Sequence, residues 1–527
     1  MSAYNNPIIR GFNPDPSVVR VYKDYFLVTS SFEYTPGIPI YHSTDLIAWK
    51  LIGHALTRKS QLDIHTPEPG SGIWAATIRW HAGEFYIFSA CVEQFRPQND
   101  ERVPPQGFYV KTANIWEEWS WSDPVYFDQV GFDQDVFWDD DGIAYLSSTY
   151  QKVHRSSPPQ RDIAVHICTI DMATGRSTST PKLLRESSSG VSEGSHLLKR
   201  NGFYYLFTAE GGTQGGHSEY VFRNTTGPLG EWEACPHNPL LYNGLDSEVQ
   251  STGHADVFED TSGNWWAVLL AVRPVRAEGT WEESVFGRES FLAPVKWRND
   301  WPIFNNSQPV GLTGIGPGVY KLEAPVTWRD DFHETELQLG WYRKNTPKKI
   351  DYSLTERPGF LRLYGSANPL SVPVSPTMFL RKQTHRFISW STELSFAPTS
   401  RYTEAGTVVW WDYYTFSRIG IRLDNDGRRI VQFSSADGNV EVKHLRSQLA
   451  EVTLFIDCGD EYRFGYVEES LNEIAWLGSV PNAVMTRPPP VGRPFTGMML
   501  GVYAFGDKEQ CLVPADFKYA RVEGHTK

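Results

Sequence analysis

The sequence is poor in several features that would place it in familiar classes. It has five cysteines in 527 residues, and Cys91, Cys168, Cys235, Cys458 and Cys511 lie far apart without CxxC spacing. An odd, scattered set argues against a disulfide framework or a zinc site, so these read as buried thiols. Basic residues are the minority: 49 Lys and Arg stand against 62 Asp and Glu, a net charge of −13. That balance argues against nucleic acid or an anionic membrane surface as partner. No run of about 18 apolar residues occurs, so no membrane-spanning helix is expected. The opening MSAYNNPIIRG has no apolar signal core. The expected setting is therefore cytoplasmic, or secreted with a signal removed. Two short sequons, at Asn224 and Asn305, arise easily by chance and do not decide the compartment. Convincing amphipathic helices are also lacking.

Aromatic residues are abundant: 19 Trp, 25 Tyr and 29 Phe. A chain this long exceeds one hydrophobic core, so two domains are expected. The first contains a repeat. DPSVVRVYKDYFLVTS, AATIRWHAGEFYIFS, DQDVFWDDDGIAYLSS, EGSHLLKRNGFYYLFTA and HADVFEDTSGNWWAVLLA each read as strand, tight polar turn, strand. From Lys23 through Gly83, Gly142, Gly202 and Gly263 the turns step by 60, 59, 60 and 61 residues. Such a period, built of hairpins with room for two more strands each, predicts a five-bladed β-propeller over residues 1–315.

In a propeller the first strand of each blade lines the central channel. Counting back 8 or 9 residues from each turn reaches Asp15, Ala75, Asp133, Glu193 and His254. Three carboxylates from blades one, three and four thus face one end of the channel. Asp15 lies between Pro14 and Pro16, which predicts a stiff, extended backbone. Converging acids can bind calcium, can be solvated surface groups, or can serve as acid and base in glycoside hydrolysis. Neighbouring aromatics Phe32, Trp74 and Phe132 suit sugar stacking as well as core packing.

NPDPS, FDQDVFWDDDG and SEGSHLLKRNGFYYLFTAEGGT resemble the three signatures of glycoside hydrolase family 43, and GHADVF and VFGRES also match. The resemblance runs over nearly the whole chain. It is to members with an extra C-terminal β-sandwich, chiefly β-xylosidases and some α-L-arabinofuranosidases. It implies that Asp15 is the general base, Glu193 the general acid, and Asp133 the group that orients Glu193 and tunes its pKa. Asp135 competes with Asp133 by sequence alone; the preceding Gly-Phe and the register favour Asp133. The resemblance further implies that Arg288 positions substrate, that Phe32, Trp74 and Phe132 surround the terminal sugar, and that His254 is a channel histidine. In some relatives that histidine sits over water or calcium; a satisfied buried histidine is the plainer alternative. No cofactor is required for acid–base chemistry, and a structural calcium near His254 is compatible with it. The family inverts, which implies that Asp15 and Glu193 lie about 6.5–9.5 Å apart. Asp133 beside Glu193 is expected to keep the acid protonated.

Residues 311–325, GLTGIGPGVYKLEAP, end the repeats, and a linker is expected over 316–327. Beyond it, 328–527 show strand patterns without the period, which predicts a jelly roll. The resemblance implies a concanavalin-like sandwich. Such a domain either binds polysaccharide itself or narrows the pocket, and the relatives favour the second. Two departures bear on pocket shape: Trp74-Ala75-Ala76 stands where many relatives have Trp-Ala-Pro, and Met498-Met499-Leu500 where xylosidases carry a Phe. The expected function is an exo-acting inverting hydrolase of xylan or arabinoxylan oligosaccharides, foremost a β-xylosidase. An α-L-arabinofuranosidase is the alternative. A non-catalytic sugar-binding protein and a retaining glycosyl-transferring enzyme are more distant. Oligomeric state is open, and a homo-oligomer is compatible with the sequence.

Overall fold

A computed structural model describes residues 2–93, 105–153, 161–277, 279–318, 326–447, 451–468 and 473–525. Residues 319–325 of the expected linker lie outside the described residues. Apart from short helical turns, the described chain is strands and the loops that join them. It forms two compact units: residues 1–64, 71–282 and 288–322, and residues 65–70, 283–287 and 323–527.

The first unit is the five-bladed propeller. The innermost strands are Ser17–Val21, Thr77–His81, Phe132–Trp138, Ser192–Arg200 and Gln250–Glu259. Each leads outward through an antiparallel sheet, as in the order Ser17–Val21, Asp24–Val28, Gly37–Ser43, Lys50–Leu56 of blade one. Each inner strand contacts the next, and the fifth returns to the first.

The hairpins explain the repeat. In blades one, two and four, paired residues Val21 and Asp24, His81 and Glu84, and Arg200 and Phe203 enclose two-residue turns. Tyr22, Ala82 and Asn201 open them at positive φ of 57°, 50° and 50°, as tight hairpins require. Blades three and five turn through longer loops, where the carbonyls of Asp139 and Asp260 accept the N–H of Gly142 and Gly263 at 2.9 and 3.2 Å. The longer loops in these two blades account for part of the one-residue slack in the sequence count.

Closure uses the chain start. Ser2–Asn5 pairs antiparallel with Thr313–Gly316. The Tyr4 hydroxyl and the Asn6 amide donate to the Leu292 carbonyl of blade five at 2.8 and 3.0 Å, and Leu292 N–H donates back to Asn6 at 2.9 Å. The segment is therefore fixed on the last blade just before it supplies Asp15 to the first.

The second unit is a sandwich of an eight-stranded and a six-stranded antiparallel sheet. Alternating residues of both sheets fill one core, including Trp390, Leu454, Phe464, Val409, Ile419 and Phe433. Trp390 is fully buried, and its indole N–H donates across the core to Thr407 Oγ1 at 2.8 Å. Met498, Met499 and Leu500 are buried here. Two early segments fold into this unit. The carbonyl of Thr66 accepts Lys344 Nζ and Asn345 Nδ2 at 3.2 and 3.0 Å, and the carbonyl of Val285 accepts the N–H of Met498 at 2.8 Å. Among the described residues no helix is long and apolar enough to cross a membrane.

Trp390→Ala leaves a large void and removes a donor from the buried Thr407 hydroxyl, so the sandwich should lose about 3–5 kcal/mol. Urea unfolding followed by tryptophan emission should show an earlier midpoint; an unchanged midpoint would refute this account of the core.

Candidate active site

Four inner-strand positions share an unusual backbone. Asp15, Asp133 and His254 have φ of 54°, 52° and 53°, and Gly194, next to Glu193, has 59°. Left-handed backbone is uncommon outside glycine, and Asp and His tolerate it better than bulky or branched residues. In blades three, four and five the turn coincides with a β-bulge, marked by register shifts between Phe132 and Asp135, Glu193 and His196, and Gly253 and Asp256. A bulge re-aims a side chain and ends regular pairing. Asp15 is thus not on the extended backbone that its flanking prolines predict. Pro16 disfavours the right-handed helical region for Asp15, but it does not force extension, and the chain takes the left-handed alternative.

Asp15 is buried and held by two hydrogen-bonding side chains, with His254 nearby. Its Oδ2 accepts the Ser30 hydroxyl at 2.5 Å, its Oδ1 accepts Arg288 Nη1 at 3.1 Å, and His254 Nδ1 lies 3.6 Å from Oδ1. The same Nη1 donates to Thr213 Oγ1 at 2.9 Å, and the guanidinium lies 5.5 Å from the centre of the Phe32 ring. Asp133 Oδ2 accepts the N–H of Gly194 at 2.9 Å. Burial, then the charges of Glu193 and Asp15, raise the Asp133 carboxyl well above its ordinary range. Glu193 is partly exposed, while Asp133 is buried. Trp74 and Phe132 meet edge to face with ring centres 5.1 Å apart. All eight residues singled out in the sequence therefore belong to the propeller unit. Direct contacts tie Asp15 to Arg288 and His254, Arg288 to Phe32, and Trp74 to Phe132.

His254 and His217 are held neutral. Burial pushes His254 down to about 3 and His217 to about 4. Their rings rest on glycines: a Cβ on Gly194 would lie 2.9 Å from the His254 ring, and one on Gly253 2.8 Å from His217. Any side chain at either glycine would displace a ring from the channel wall.

Asp135 is separated from Asp133 by its partners. Arg79 donates to both of its oxygens, at 3.0 and 2.8 Å, and His196 Nδ1 lies 3.0 Å from Oδ2. Despite complete burial, these partners hold Asp135 down at about 2. Arg79 also donates to Asp256 Oδ2 at 2.7 Å and to Ser17 Oγ at 3.3 Å, and Ser17 donates to Asp256 at 2.6 Å. Arg79, Asp135, His196, Asp256 and Ser17 come from five different blades. Sequence reasoning does not find this cluster, although Ser17, Asp135 and Asp256 each lie two residues after a ring position, where strand alternation returns to one face. Ser30 and Thr213 carry no comparable signal.

Calcium takes about six to eight oxygen ligands. Side chains near His254 include the Asp15 carboxylate at 3.6 Å and the His196 ring, 6.0 Å between ring centres, and its backbone N–H donates to Glu219. Among the described residues no three His, Cys, Asp or Glu side chains converge as a metal cage. The side chains near His254 do not by themselves fit such an ion.

The sequence profile of glycosyl hydrolases family 43 matches residues 4–302. The chain belongs to glycoside hydrolase family 43. A second profile, the β-xylosidase C-terminal concanavalin A-like domain, matches residues 329–523. This family 43 enzyme is 34% identical to a non-reducing end α-L-arabinofuranosidase of Bacteroides ovatus, over 98% of this chain and 94% of that protein. It is also 34% identical to a xylan 1,3-β-xylosidase of a Vibrio species, over 81% of each. The solved structure of a xylan β-1,4-xylosidase from Bacillus halodurans superposes with a TM-score of 0.89 at 28% identity, covering 99% of this chain and all of the other. The expected fold and enzyme class thus hold.

Asp135 has a depressed pKa, so its contribution to stability is present above the unfolded value near 3.8 and is lost as pH falls through about 2. Asp135→Asn should therefore be less stable than the native enzyme at neutral pH, and the gap should narrow between pH 4 and 2. Melting temperatures across that window decide it; a constant gap would show that the Asp135 charge is not the source.

Proposed function

We propose that this glycoside hydrolase acts at chain ends of xylan-derived oligosaccharides and releases terminal xylose with inversion. The supporting observation is the contrast between the carboxyls. Asp15 is fixed by the Ser30 hydroxyl and the Arg288 guanidinium, with the His254 ring 3.6 Å away. Asp133, buried beside the partly exposed Glu193, is raised by burial and then by the charges of Glu193 and Asp15. A base and a proton-retaining acid pair are what inverting hydrolysis needs.

In this reading Glu193 protonates the glycosidic oxygen as the bond to the anomeric carbon breaks. Asp15 takes a proton from a water that attacks that carbon from the opposite face. Glu193 ends ionised and Asp15 protonated, and exchange with solvent resets both. Asp133, anchored on the Gly194 N–H, orients Glu193 from the adjoining blade and keeps a proton in the pair. Arg288 holds Asp15 and lies beside Phe32, where a guanidinium fork suits sugar hydroxyls. Trp74 and Phe132 form an apolar wall for the ring. Action at chain ends is supported by the name of the Bacteroides ovatus relative, which specifies the non-reducing end.

Arabinose is the second reading, favoured by the same relative. The names of the Vibrio and Bacillus halodurans relatives favour xylose. Proton NMR of the enzyme with xylobiose and arabinose-decorated xylo-oligosaccharides separates them. Early α-xylose from xylobiose is expected. Early arabinose with xylobiose intact would make it an arabinofuranosidase, and release of neither would reject both.

Variants test the roles. Glu193→Ala should lower kcat on xylobiose by about 10²–10⁴, but much less on an aryl xyloside whose leaving group needs no proton. Asp15→Ala should lose comparable activity on both substrates. Equal losses in the Glu193 variant on the two substrates would remove it as the acid.

A further inference from the structure

The sandwich carries a cavity of about 210 Å³ whose lining belongs wholly to the second unit. It lies on the outer face of the six-stranded sheet. Glu404 and Arg418 sit on strands Thr403–Trp410 and Phe416–Leu423, and Phe505 on Met499–Gly506. The core side of the same strands is taken by Ala405, Val409, Ile419 and Ala504, so strand alternation sends Glu404, Arg418 and Phe505 the other way. The Pro369–Ser371 segment walls the cavity from above.

The lining combines three aromatic rings with fixed charged groups. Tyr402 is 43% exposed, whereas Phe505 is 5% exposed. The Arg418 guanidinium lies 5.6 and 5.5 Å from the Phe416 and Phe505 ring centres. Arg418 Nε donates to Glu404 Oε1 at 2.7 Å, and the fully buried Tyr503 hydroxyl donates to the same oxygen at 2.6 Å. Arg422 is tied to the Arg401 carbonyl at 2.7 Å and lies 3.9 Å from Glu404. Planar polar groups locked beside aromatic faces are suited to sugars, whose hydroxyls pair with the former and whose C–H faces stack on the latter.

We propose that this cavity is a second carbohydrate site, taking one neutral pyranose unit of a xylo-oligosaccharide on the sandwich domain. Its size is below the roughly 300–1,000 Å³ of drug-sized pockets, which suits a single ring. A neutral ligand matches the lining, where Arg418 and Arg422 are balanced by Glu404 and Asp507. Such a site gives the sandwich a non-catalytic anchor, and the choice of a xylose-based ligand rests on the proposed function.

The test uses the full chain with Glu193→Gln to stop turnover, titrated with xylotetraose by calorimetry and ligand-observed NMR. Tyr402→Ala removes the exposed stacking ring. Ser371→Trp, on the exposed rim, fills the cavity without touching the Glu404–Arg418 pair. A binding event that both substitutions weaken about tenfold or more, while near-ultraviolet dichroism is otherwise native-like, is the expected result. Binding that is identical with and without both substitutions would overturn the proposal. The deciding quantity is sensitivity to residues 402 and 371. A failure of xylotetraose to occupy the propeller would therefore show as a lost event insensitive to both, and would count against the proposed function instead. Should xylotetraose give no event sensitive to these residues, a neutral xylose unit is not the ligand.

Discussion

Arg79 enters the channel from blade two and meets Asp135 of blade three, His196 of blade four, Asp256 of blade five and Ser17 of blade one. This one guanidinium bonds to the inner strands of all four other blades. A propeller has no continuous sheet to align its blades, because each blade hydrogen-bonds chiefly within itself. Apolar packing between blades is non-directional and would tolerate small rotations. Charge-assisted hydrogen bonds with fixed fork geometry do not. Two buried carboxylates here are far too costly to leave without their cation, so Arg79 ties all five inner strands together, alongside pairwise links such as Gly194 N–H to Asp133 and Ser195 to Ser147.

That link matters because the ring of Asp15, Asp133, Glu193 and His254 lies only a few residues along the same strands. Asp135 comes two residues after Asp133, Asp256 two after His254, and Ser17 two after Asp15. The left-handed turns at Asp15, Asp133 and His254 cost about 1–3 kcal/mol each when imposed on non-glycine residues. Ser17, Asp135 and Asp256, two positions beyond these turns, are each held in the cluster.

Much of this is legible in the sequence, for physical reasons that also mark where legibility stops. The 60-residue period survives because each hairpin turn needs a residue that tolerates positive φ, such as Gly83 or Gly202. Local chemistry of that kind is written at fixed spacing. The choice between Asp133 and Asp135 is not, since both are aspartates on one strand and an arginine more than fifty residues away divides them. Arg79 itself sits in IRWH, on an inner strand with no motif around it. The Asp15 backbone departs from expectation because proline rules disfavour the right-handed helix without choosing among the remaining basins. The capture of residues 65–70 and 283–287 by the second unit is equally invisible, since it depends on partners such as Lys344 and Met498 far along the chain.

The two aspartates on Phe132–Trp138 show how a propeller can divide labour along one strand. Both are buried, so desolvation pushes both upward. Asp135 receives two donors from Arg79 and becomes a permanent anion that holds blades together. Asp133 receives one backbone N–H and faces Glu193 and Asp15, so it becomes a carboxyl that favours its proton. Moving the cation one strand-period toward Asp133 would favour its ionised form. Removing it would leave Asp135 and Asp256 repelling each other beneath the site. The placement of Arg79 against Asp135 and Asp256, and not against Asp133, therefore leaves one aspartate of the strand charged and the other raised.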